Sequence, residues 1–231
     1  MAVSTKNRKL VLAKYTRGAV LSIEDALKSA KDLAFAKFVE SIDIALNLGV
    51  DPRHADQNVR GAATLPKGLG KSIRVAVFAK GEKVVAAKEA GADIVGAEDL
   101  AEKINGGWLE FDQVIATPDT MGIVGKLGRV LGPRGLMPNP KQGTVTFDVA
   151  KAITEAKSGK ASFRVDKAGI VHCAVGNVGM SAADLSDNIK SVVESILKLR
   201  PSAAKGTYLK RLTVSSTMGP GINVDLSTFR T

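Results

Sequence analysis

Residues 73–118 read IRVAVFAKGEKVVAAKEAGADIVGAEDLAEKINGGWLEFDQVIATP. Short apolar runs alternate here with charged runs of helical spacing, in the order 73–79, 82–90, 93–95, 98–104 and 111–116. Thr117 and Pro118 then match the cap and the first position of another helix, where the N–H that proline lacks would be unpaired anyway. Because alternating strands and helices indicate a parallel sheet with helices on its faces, this middle segment predicts an α/β domain.

The segment before residue 65 has a different pattern of hydrophobic periodicity. Ser22 to Asp25 match the capping box that starts a helix, and apolar residues recur at helical spacing from Ile23 to Ala34. Apolar and polar residues then alternate from Ile42 to Leu48, which is the pattern of a half-buried strand. Gly49 to Pro52 end that strand, so this flank predicts one helix followed by one strand.

The segment after residue 159 predicts a second long helix with strands on both sides. Ser181 to Asp184 cap the helix, its apolar stripe runs from Leu185 to Leu199, and Pro201 lies just beyond its end. The predicted strands are 161–165 and 170–175, paired around the turn Asp166–Gly169, and 208–215. Each flank thus has a long helix and strands, and the residue pattern leaves open whether the flanks form one domain.

The composition indicates a folded, basic protein. Hydrophobic residues make up 45% of the 231 residues, and 33 basic against 23 acidic residues give a formal net charge of +10. Such an excess favours a polyanionic partner, either a nucleic acid or a membrane surface. The membrane is disfavoured because no long helix combines a Lys/Arg face with an aromatic stripe, and no segment is long and apolar enough to span a bilayer.

The compartment is predicted to be the cytoplasm, with a plastid or mitochondrial matrix as the alternative. A single cysteine, Cys173, excludes an internal disulfide, which fits a reducing compartment. The basic N-terminus is not followed by the apolar region and small-residue cleavage site of a signal peptide.

The positive charge is concentrated in three blocks. Residues 1–20 and 121–143 contain no acid, and the block from Lys198 onward contains a single one, Asp225. Clustering without acids favours phosphate contacts over ordinary solvated surface. The cations of the three blocks are Lys6, Arg8, Lys9, Lys14 and Arg17; Lys126, Arg129, Arg134 and Lys141; and Lys198, Arg200, Lys205, Lys210, Arg211 and Arg230.

Catalytic and metal-binding motifs are absent from the sequence. The run Gly68–Ser72 resembles a phosphate-binding loop, but Leu65 stands where that motif requires glycine. His54 and His172 are far apart, so no metal-ligand spacing occurs. His172 and Cys173 would point to opposite faces of a strand, which favours Cys173 as a core residue. We therefore expect neither an enzyme nor a metal or other cofactor.

Two stretches have features that a folded core does not require. Residues 215–221, Ser-Ser-Thr-Met-Gly-Pro-Gly, follow a predicted strand and offer hydroxyls, glycines for close backbone approach and the soft side chain of Met218. An ordinary exit from a strand explains them equally well. In residues 36–40, Phe38 can present a ring to a base or sugar, although burial is the commoner fate of phenylalanine.

Two further stretches combine cations with turns. At the predicted tip 163–170, Arg164 and Lys167 can contact phosphates and Asp166 a ribose hydroxyl, with a solvated turn as the alternative. Residues 125–141 carry four spaced cations in a helix followed by a loop rich in glycine and proline. Such a loop favours a function, and phosphate contact is the natural one.

Four motifs, in the same order, resemble those of the bacterial-type L-one family of large-subunit ribosomal proteins. The resemblance extends over nearly the whole chain and is most specific in the second and fourth motifs. The chain differs at Val165, where asparagine is common in the family, and at Ser41, where threonine also occurs. The four motifs are DPRHADQNVRG at 51–61, LGPRGLMPNPK at 131–141, AKG at 204–206 and STMG at 216–219.

The resemblance implies an α+β domain with an inserted, Rossmann-like α/β domain that has a parallel sheet. Residues 1–67 and 160–231 would form the discontinuous RNA-binding domain, and residues 68–159 the inserted domain. A two-strand hinge would join them near Leu65–Gly70 and Ser158–Gly159.

The resemblance also implies a binding site, most of it in the discontinuous domain. The inserted domain would add an auxiliary RNA contact through Lys126, Arg129, Arg134 and Lys141. Carried onto this chain, the family's main contact residues are Lys37, Phe38, Ser41, Asp166, Lys167, Gly169, His172, Ser215, Thr217, Met218 and Gly219. Arg164 joins this set from its place at the predicted tip.

The implied function is to bind the ribosomal RNA stalk near the tRNA exit site, as a monomer on the ribosome, and to assist release of deacylated tRNA. Many members of the family also repress their own operon by binding its mRNA. Two alternatives remain open from the residues alone. An α/β enzyme built on the middle segment would be stabilised by ATP, NAD or GTP, and a non-specific RNA chaperone would bind bulk tRNA as well as stalk RNA.

Overall fold

The computed structural model describes Lys9, Val11, residues 13–16 and residues 18–229, apart from the side chain of Glu82. Four cations of the terminal basic blocks, Lys6, Arg8, Arg17 and Arg230, lie outside the described residues. None of the helices in the described part is both long enough and apolar enough to cross a membrane.

The secondary structure of the described residues is mixed. The strands are β1 (Val20–Leu21), β2 (Ser41–Leu48), β3 (Arg60–Thr64), β4 (Val75–Phe78), β5 (Ile94–Gly96), β6 (Gln113–Ala116), β7 (Lys160–Arg164), β8 (Ile170–Asn177), β9 (Leu209–Ser216) and β10 (Ile222–Val224). The α-helices are α1 (Ile23–Asp32), α2 (Glu82–Glu89), α3 (Glu98–Asn105), α4 (Met121–Lys126), α5 (Gly128–Leu131), α6 (Val149–Lys157) and α7 (Ala182–Lys198). The chain folds into two compact units, unit 1 (Met1–Gly70 with Ala161–Thr231) and unit 2 (Lys71–Lys160).

Unit 1 is built on a five-stranded sheet in the order β1-β10-β9-β2-β8. Its neighbouring strands are antiparallel, apart from the parallel pair β1 and β10. Helices α1 and α7 pack against each other and against strands of this sheet. Strand β2 shows why: Ile42, Ile44, Leu46 and Leu48 are buried among the helices, while the residues between them are partly exposed. The predicted half-buried strand is confirmed.

Both predicted helix starts of unit 1 are confirmed. The Ser22 hydroxyl accepts a hydrogen bond from Asp25 N at 3.2 Å at the start of α1. The Ser181 hydroxyl accepts one from Asp184 N at 3.1 Å at the start of α7. The predicted stripe of α7 is buried as far as Ile196. Leu199 follows the last residue of the helix, is 43% exposed and lies against Gly61 of β3, so its assignment to the buried stripe was wrong.

The predicted pairing of strands 161–165 and 170–175 is wrong. Strand β7 pairs with β3 and strand β8 with β2, and only the bridge Val165–Val171 joins the two. The turn between them does form, since Asp166 N donates to Ile170 O at 2.9 Å. Past the bridge the strands separate because each finds a partner that is distant in sequence. Small residues of β3 allow this, as a Cβ at Gly61 would lie 3.1 Å from the Phe163 ring.

Unit 2 contains the parallel sheet that the sequence predicts, in the order β5-β4-β6. On one face Ala76 and Phe78 of β4 belong to a core with residues of α3, α4 and α5. On the other face Val75 and Val77 belong to a core with residues of α2 and α6. Helices therefore cover both faces, which explains why β4 is an unbroken apolar run.

The predicted cap at Thr117 differs in detail. Residues Pro118–Thr120 form a 3₁₀ turn, and the Thr117 side chain makes no cap hydrogen bond. Its hydroxyl is buried and lies 3.2 Å from that of Thr120, which donates to Phe78 O at 3.0 Å. The Thr117 hydroxyl therefore lies against a buried hydroxyl at the end of β4 and does not cap the turn.

The segment Leu65–Gly70, predicted as a hinge strand, is anchored within unit 1 by buried Asn188 of α7. Its Oδ1 accepts a hydrogen bond from Lys67 N at 3.1 Å. Its Nδ2 donates to Gly68 O at 2.9 Å and to Val175 O at 2.8 Å. Asn188 therefore joins this segment to strand β8.

Candidate nucleic-acid interface

The face of the five-stranded sheet opposite the helices is open and carries small and polar side chains. The burial alternation of β2 turns Ser41, Asp43, Ala45 and Asn47 toward it. On β8, His172 and Ala174 are exposed on the same face, because Val171, Cys173 and Val175 point into the core. An exposed surface with short side chains allows another molecule to approach the sheet closely.

Strand register aligns three of the predicted contact residues on this open face. Ala45 of β2 lies opposite His172 of β8 and Thr213 of β9. Asp43 of β2 lies opposite Ser215 of β9. Ser41, His172 and Ser215 are far apart in sequence and come from three adjacent strands, yet they share one surface.

The turn after β9 is bonded to the start of β2 at one end of the open face. Thr217 N donates to Ser41 O at 3.1 Å, and Ser41 N donates to the Thr217 hydroxyl at 2.9 Å. The Met218 side chain is 56% exposed. A Cβ at Gly219 would collide with the Ser216 hydroxyl, so a larger residue here would require that buried hydroxyl to move. The structure thus brings Ser41, Thr217, Met218 and Gly219 together.

The loop between α1 and β2 presents Lys37, Phe38 and Val39 to solvent. Phe38 is 57% exposed, so the alternative of a buried ring is wrong. The ring lies outside the core because it precedes β2, at one end of the sheet, where the chain is held by the next residue but one.

That residue is Glu40, which is only 2% exposed. One carboxylate oxygen accepts hydrogen bonds from Phe35 N at 3.0 Å and Ala36 N at 2.8 Å. The other accepts one from Met218 N at 3.0 Å. One buried side chain therefore fastens the loop with Phe38 and the turn with Met218 to each other.

The pKa of Glu40 is lowered by these bonds. Burial by itself raises the pKa, but the backbone donors at Met218, Ala36 and Phe35 favour the ionised form and outweigh it. The Ser216 hydroxyl also lowers the pKa, although its geometry falls short of a well-formed hydrogen bond. Glu40 is therefore a carboxylate at neutral pH.

The tip before β8 is held by Asp166. Its Oδ1 accepts from Ala168 N at 2.9 Å and from Ile170 N at 2.8 Å, and the latter bond is the largest cause of its lowered pKa. Its Oδ2 lies 3.6 Å from His172 Nε2, so two of the predicted residues are neighbours. Lys167 is exposed beside them. Buried Gly169 has φ of +79°, which favours glycine.

Arg164 does not share the open face. It is exposed on β7, which belongs to the separate two-stranded sheet with β3. There it approaches Arg60, whose pKa is lowered by burial first and by the charge of Arg164 second.

The four predicted cations of unit 2 all point to solvent. Lys126 ends α4, Arg129 is on α5, Arg134 lies in the following loop and Lys141 in the 3₁₀ turn 140–142. None of them forms an ion pair with another residue in the described part of the chain. Their charges are therefore uncompensated locally and available to phosphates.

The loop that carries these cations is ordered by its own hydrogen bonds. Asn139 Oδ1 accepts from Lys141 N at 2.9 Å, and the Thr144 hydroxyl accepts from Asn139 N at 2.7 Å. A Cβ at Gly132 would lie 2.5 Å from Gly128 O, so the close turn there depends on glycine.

The surroundings of Cys173 do not support a catalytic role for its thiol. The thiol is buried and His172 is exposed on the opposite face, as the strand period predicts. Burial raises the pKa of Cys173 to about 12, so the thiol is not a nucleophile at neutral pH. Among the described residues, no group of three or more His, Cys, Asp or Glu side chains is placed to hold a metal ion.

A sequence model of the ribosomal protein L1p/L10e family matches residues 27–220. The chain belongs to this family. The match includes every predicted contact residue, from Lys37 to Gly219. As a member of the L1p/L10e family, the protein is a structural component of the large ribosomal subunit that binds rRNA, and it is not an enzyme. The predicted family and the predicted absence of enzymatic activity are confirmed, and the alternative of an α/β enzyme is wrong.

Several residues on and next to the open face were not predicted as site residues. Asp43, Thr213 and Asn47 could have been found, because alternation along β2 and β9 places them on the face of Ser41 and Ser215. Glu40 could not, since its partners at Phe35, Ala36 and Met218 are backbone groups that leave no trace in the sequence.

Proposed function

We propose that this protein binds the stalk region of large-subunit rRNA near the tRNA exit site and assists release of deacylated tRNA. The observation that carries the proposal is the open sheet face of small and polar residues that ends at the bonded pair Ser41 and Thr217. The proposed contact residues on and around this face are Lys37, Phe38, Ser41, Asp166, Lys167, Gly169, His172, Ser215, Thr217, Met218 and Gly219. Arg164 is proposed as a further contact from β7, outside the open face.

The chemistry of this surface suits a folded RNA. Hydroxyls and backbone groups can pair with ribose 2′-OH groups, which distinguish RNA from DNA. Phe38 and Met218 supply exposed apolar contacts for a base or sugar. Lys37 and Lys167 flank the face and can contact phosphates, which fix position without reading sequence.

Titration of labelled stalk rRNA by filter binding, with bulk tRNA as competitor, tests this proposal. Stalk RNA should bind tightly, and bulk tRNA should compete far less well than unlabelled stalk RNA. Equal competition by the two RNAs would identify a non-specific RNA chaperone instead.

The same surface supports repression of the protein's own operon. A surface that reads the shape of an RNA fold binds any other RNA with that fold. An mRNA site that mimics the stalk would therefore occupy the contact residues and compete with rRNA.

The compact units support a two-domain proposal. Unit 1 corresponds closely to the proposed RNA-binding domain (1–67 and 160–231), and unit 2 to the inserted domain (68–159). The two chain crossings between them would serve as the hinge. We propose that the protein acts as a monomer on the ribosome, in the cytoplasm or an organelle matrix.

The inserted domain is proposed to add an auxiliary phosphate contact through Lys126, Arg129, Arg134 and Lys141. Arg134→Ala should lower RNA affinity to a similar degree for different RNAs, because a phosphate contact does not depend on sequence. It should also reduce the slope of log K against log salt by about one unit. Filter binding at a series of salt concentrations measures both effects.

Lys190→Ala is the matched control for Arg134→Ala. Lys190 is also an exposed cation, but it lies on α7, whose apolar side packs on the covered face of the sheet. Its removal should leave the salt slope unchanged. An unchanged slope for Arg134→Ala would remove that residue from the interface.

A further inference from the structure

We propose that Glu40 is a positioning residue for RNA binding, one that holds the loop of Phe38 and the turn of Met218 in the binding geometry without contacting RNA. The expected effect of Glu40 on RNA binding rests on the proposed function. The arrangement itself is a property of the free protein.

The carboxylate is fully occupied by the protein. One oxygen accepts two backbone N–H groups, from Phe35 and Ala36, and the other accepts Met218 N. Glu40 is also almost inaccessible to water. Since RNA would bring further negative charge, a buried carboxylate is a poor RNA ligand, and an indirect role explains its place at the site.

The carboxylate fixes two segments whose apolar side chains are exposed to water, an arrangement that contact with water does not favour. Phe38, Val39 and Met218 are all more than half exposed. They belong to two segments 178 residues apart in sequence. Without a link, apolar side chains on two loops would collapse onto each other or onto the sheet, and RNA binding would have to reopen them at a cost in affinity.

The link requires a carboxylate and not merely a polar side chain. The donors approach from both sides, so both ends of the planar group must accept. Glutamine offers one acceptor oxygen and one NH₂ donor. If its oxygen keeps Phe35 N and Ala36 N, its NH₂ faces the N–H of Met218, and the bond to the Thr217–Gly219 turn is lost.

Glu40→Gln in the full chain is the test, with Glu194→Gln, an exposed position on α7, as the matched control. In the free protein, hydrogen exchange at Met218 N should become faster in Glu40→Gln while exchange in the cores of β2 and β9 stays unchanged. The Kd for stalk RNA should rise about tenfold, which corresponds to about 1.4 kcal/mol. The salt slope should stay at the wild-type value, because no phosphate contact is removed.

Two results with the Glu40→Gln variant would overturn the inference. An affinity within twofold of wild type together with faster Met218 exchange would show that the link is dispensable for binding. A changed salt slope would indicate a direct electrostatic role. If wild type itself fails to bind stalk RNA, the proposed function fails, whereas the exchange result still reports on the link.

Wild-type protein supplies a measurement that does not depend on the fold of any variant. The amides of Phe35, Ala36 and Met218 should be protected in the free protein about as well as in the RNA complex. Protection that arises only with RNA would mean that the loops are ordered by binding, and Glu40 would not be a positioning residue.

Discussion

Met218→Asp should raise the Kd for stalk rRNA by roughly 30-fold or more, a loss of about 2 kcal/mol that is typical of a central interface residue. Met218 is exposed at the end of the open sheet face, beside the paired Ser41 and Thr217. An aspartate there replaces an apolar contact by a charge that phosphates repel. Because the side chain is exposed and its backbone N–H bond to Glu40 is unaffected, the thermal stability should change little.

Val85→Asp is the matched control for this variant. Val85 lies on α2 of unit 2 and is 58% exposed, close to the 56% of Met218, and the substitution changes the net charge equally. It should leave the Kd within a few-fold of wild type. Equal losses for the two variants would show a general charge effect and would discard the Met218 site.

Thr217→Ala and Thr217→Ser separate the hydroxyl from the methyl group at the same turn. Alanine removes the acceptor for Ser41 N, whereas serine retains it. We expect weakened binding for alanine and near wild-type binding for serine in the same filter assay. This order would tie affinity to the link between the turn and β2.

Asn188→Leu should destabilise the fold by about 3 kcal/mol, because a buried polar group that loses its partner costs about 1–3 kcal/mol. The substitution retains the branched shape and the number of side-chain heavy atoms but leaves Lys67 N, Gly68 O and Val175 O without their partner. Val175 O is in the core, whereas the other two can partly recover bonds to water, so the estimate is well below the sum. Urea denaturation, monitored by a signal from unit 1, measures the change in the free energy of unfolding.

Asp187→Ala is the control on the same helix, since Asp187 is exposed and adjacent to Asn188. It should shift the free energy of unfolding by less than about 0.5 kcal/mol. In Asn188→Leu, limited proteolysis should also become faster within 65–70, because the anchor of that segment is lost. A stability equal to wild type would mean that the three backbone groups find other partners.

Features determined by neighbouring residues could be predicted from the sequence. The caps at Ser22 and Ser181 depend on a hydroxyl three residues from its donor. The alternation in β2 directly sorts buried from open positions, and the unbroken apolar run of β4 indicates cover on both faces. Each of these follows from local geometry alone.

Features determined by distant residues could not be predicted in the same way. Strand β7 pairs with β3 across about a hundred residues, and no short-range pattern reveals that choice over the nearer β8. Exposure of Phe38 depends on Glu40, whose third partner is Met218. The site residues were assigned largely by family resemblance, and the sheet register then explains why residues so far apart share a surface.

The alternation of β2 also limits how this chain can change in length. Inserting one residue after Ile44 would turn Leu46 and Leu48 toward the open face and Ala45 and Asn47 toward the helices, because side-chain direction reverses at every step. The same shift would break the register with both neighbouring strands at once. Insertions and deletions in related genes should therefore be excluded from β2 and should accumulate in exposed loops outside the four family motifs.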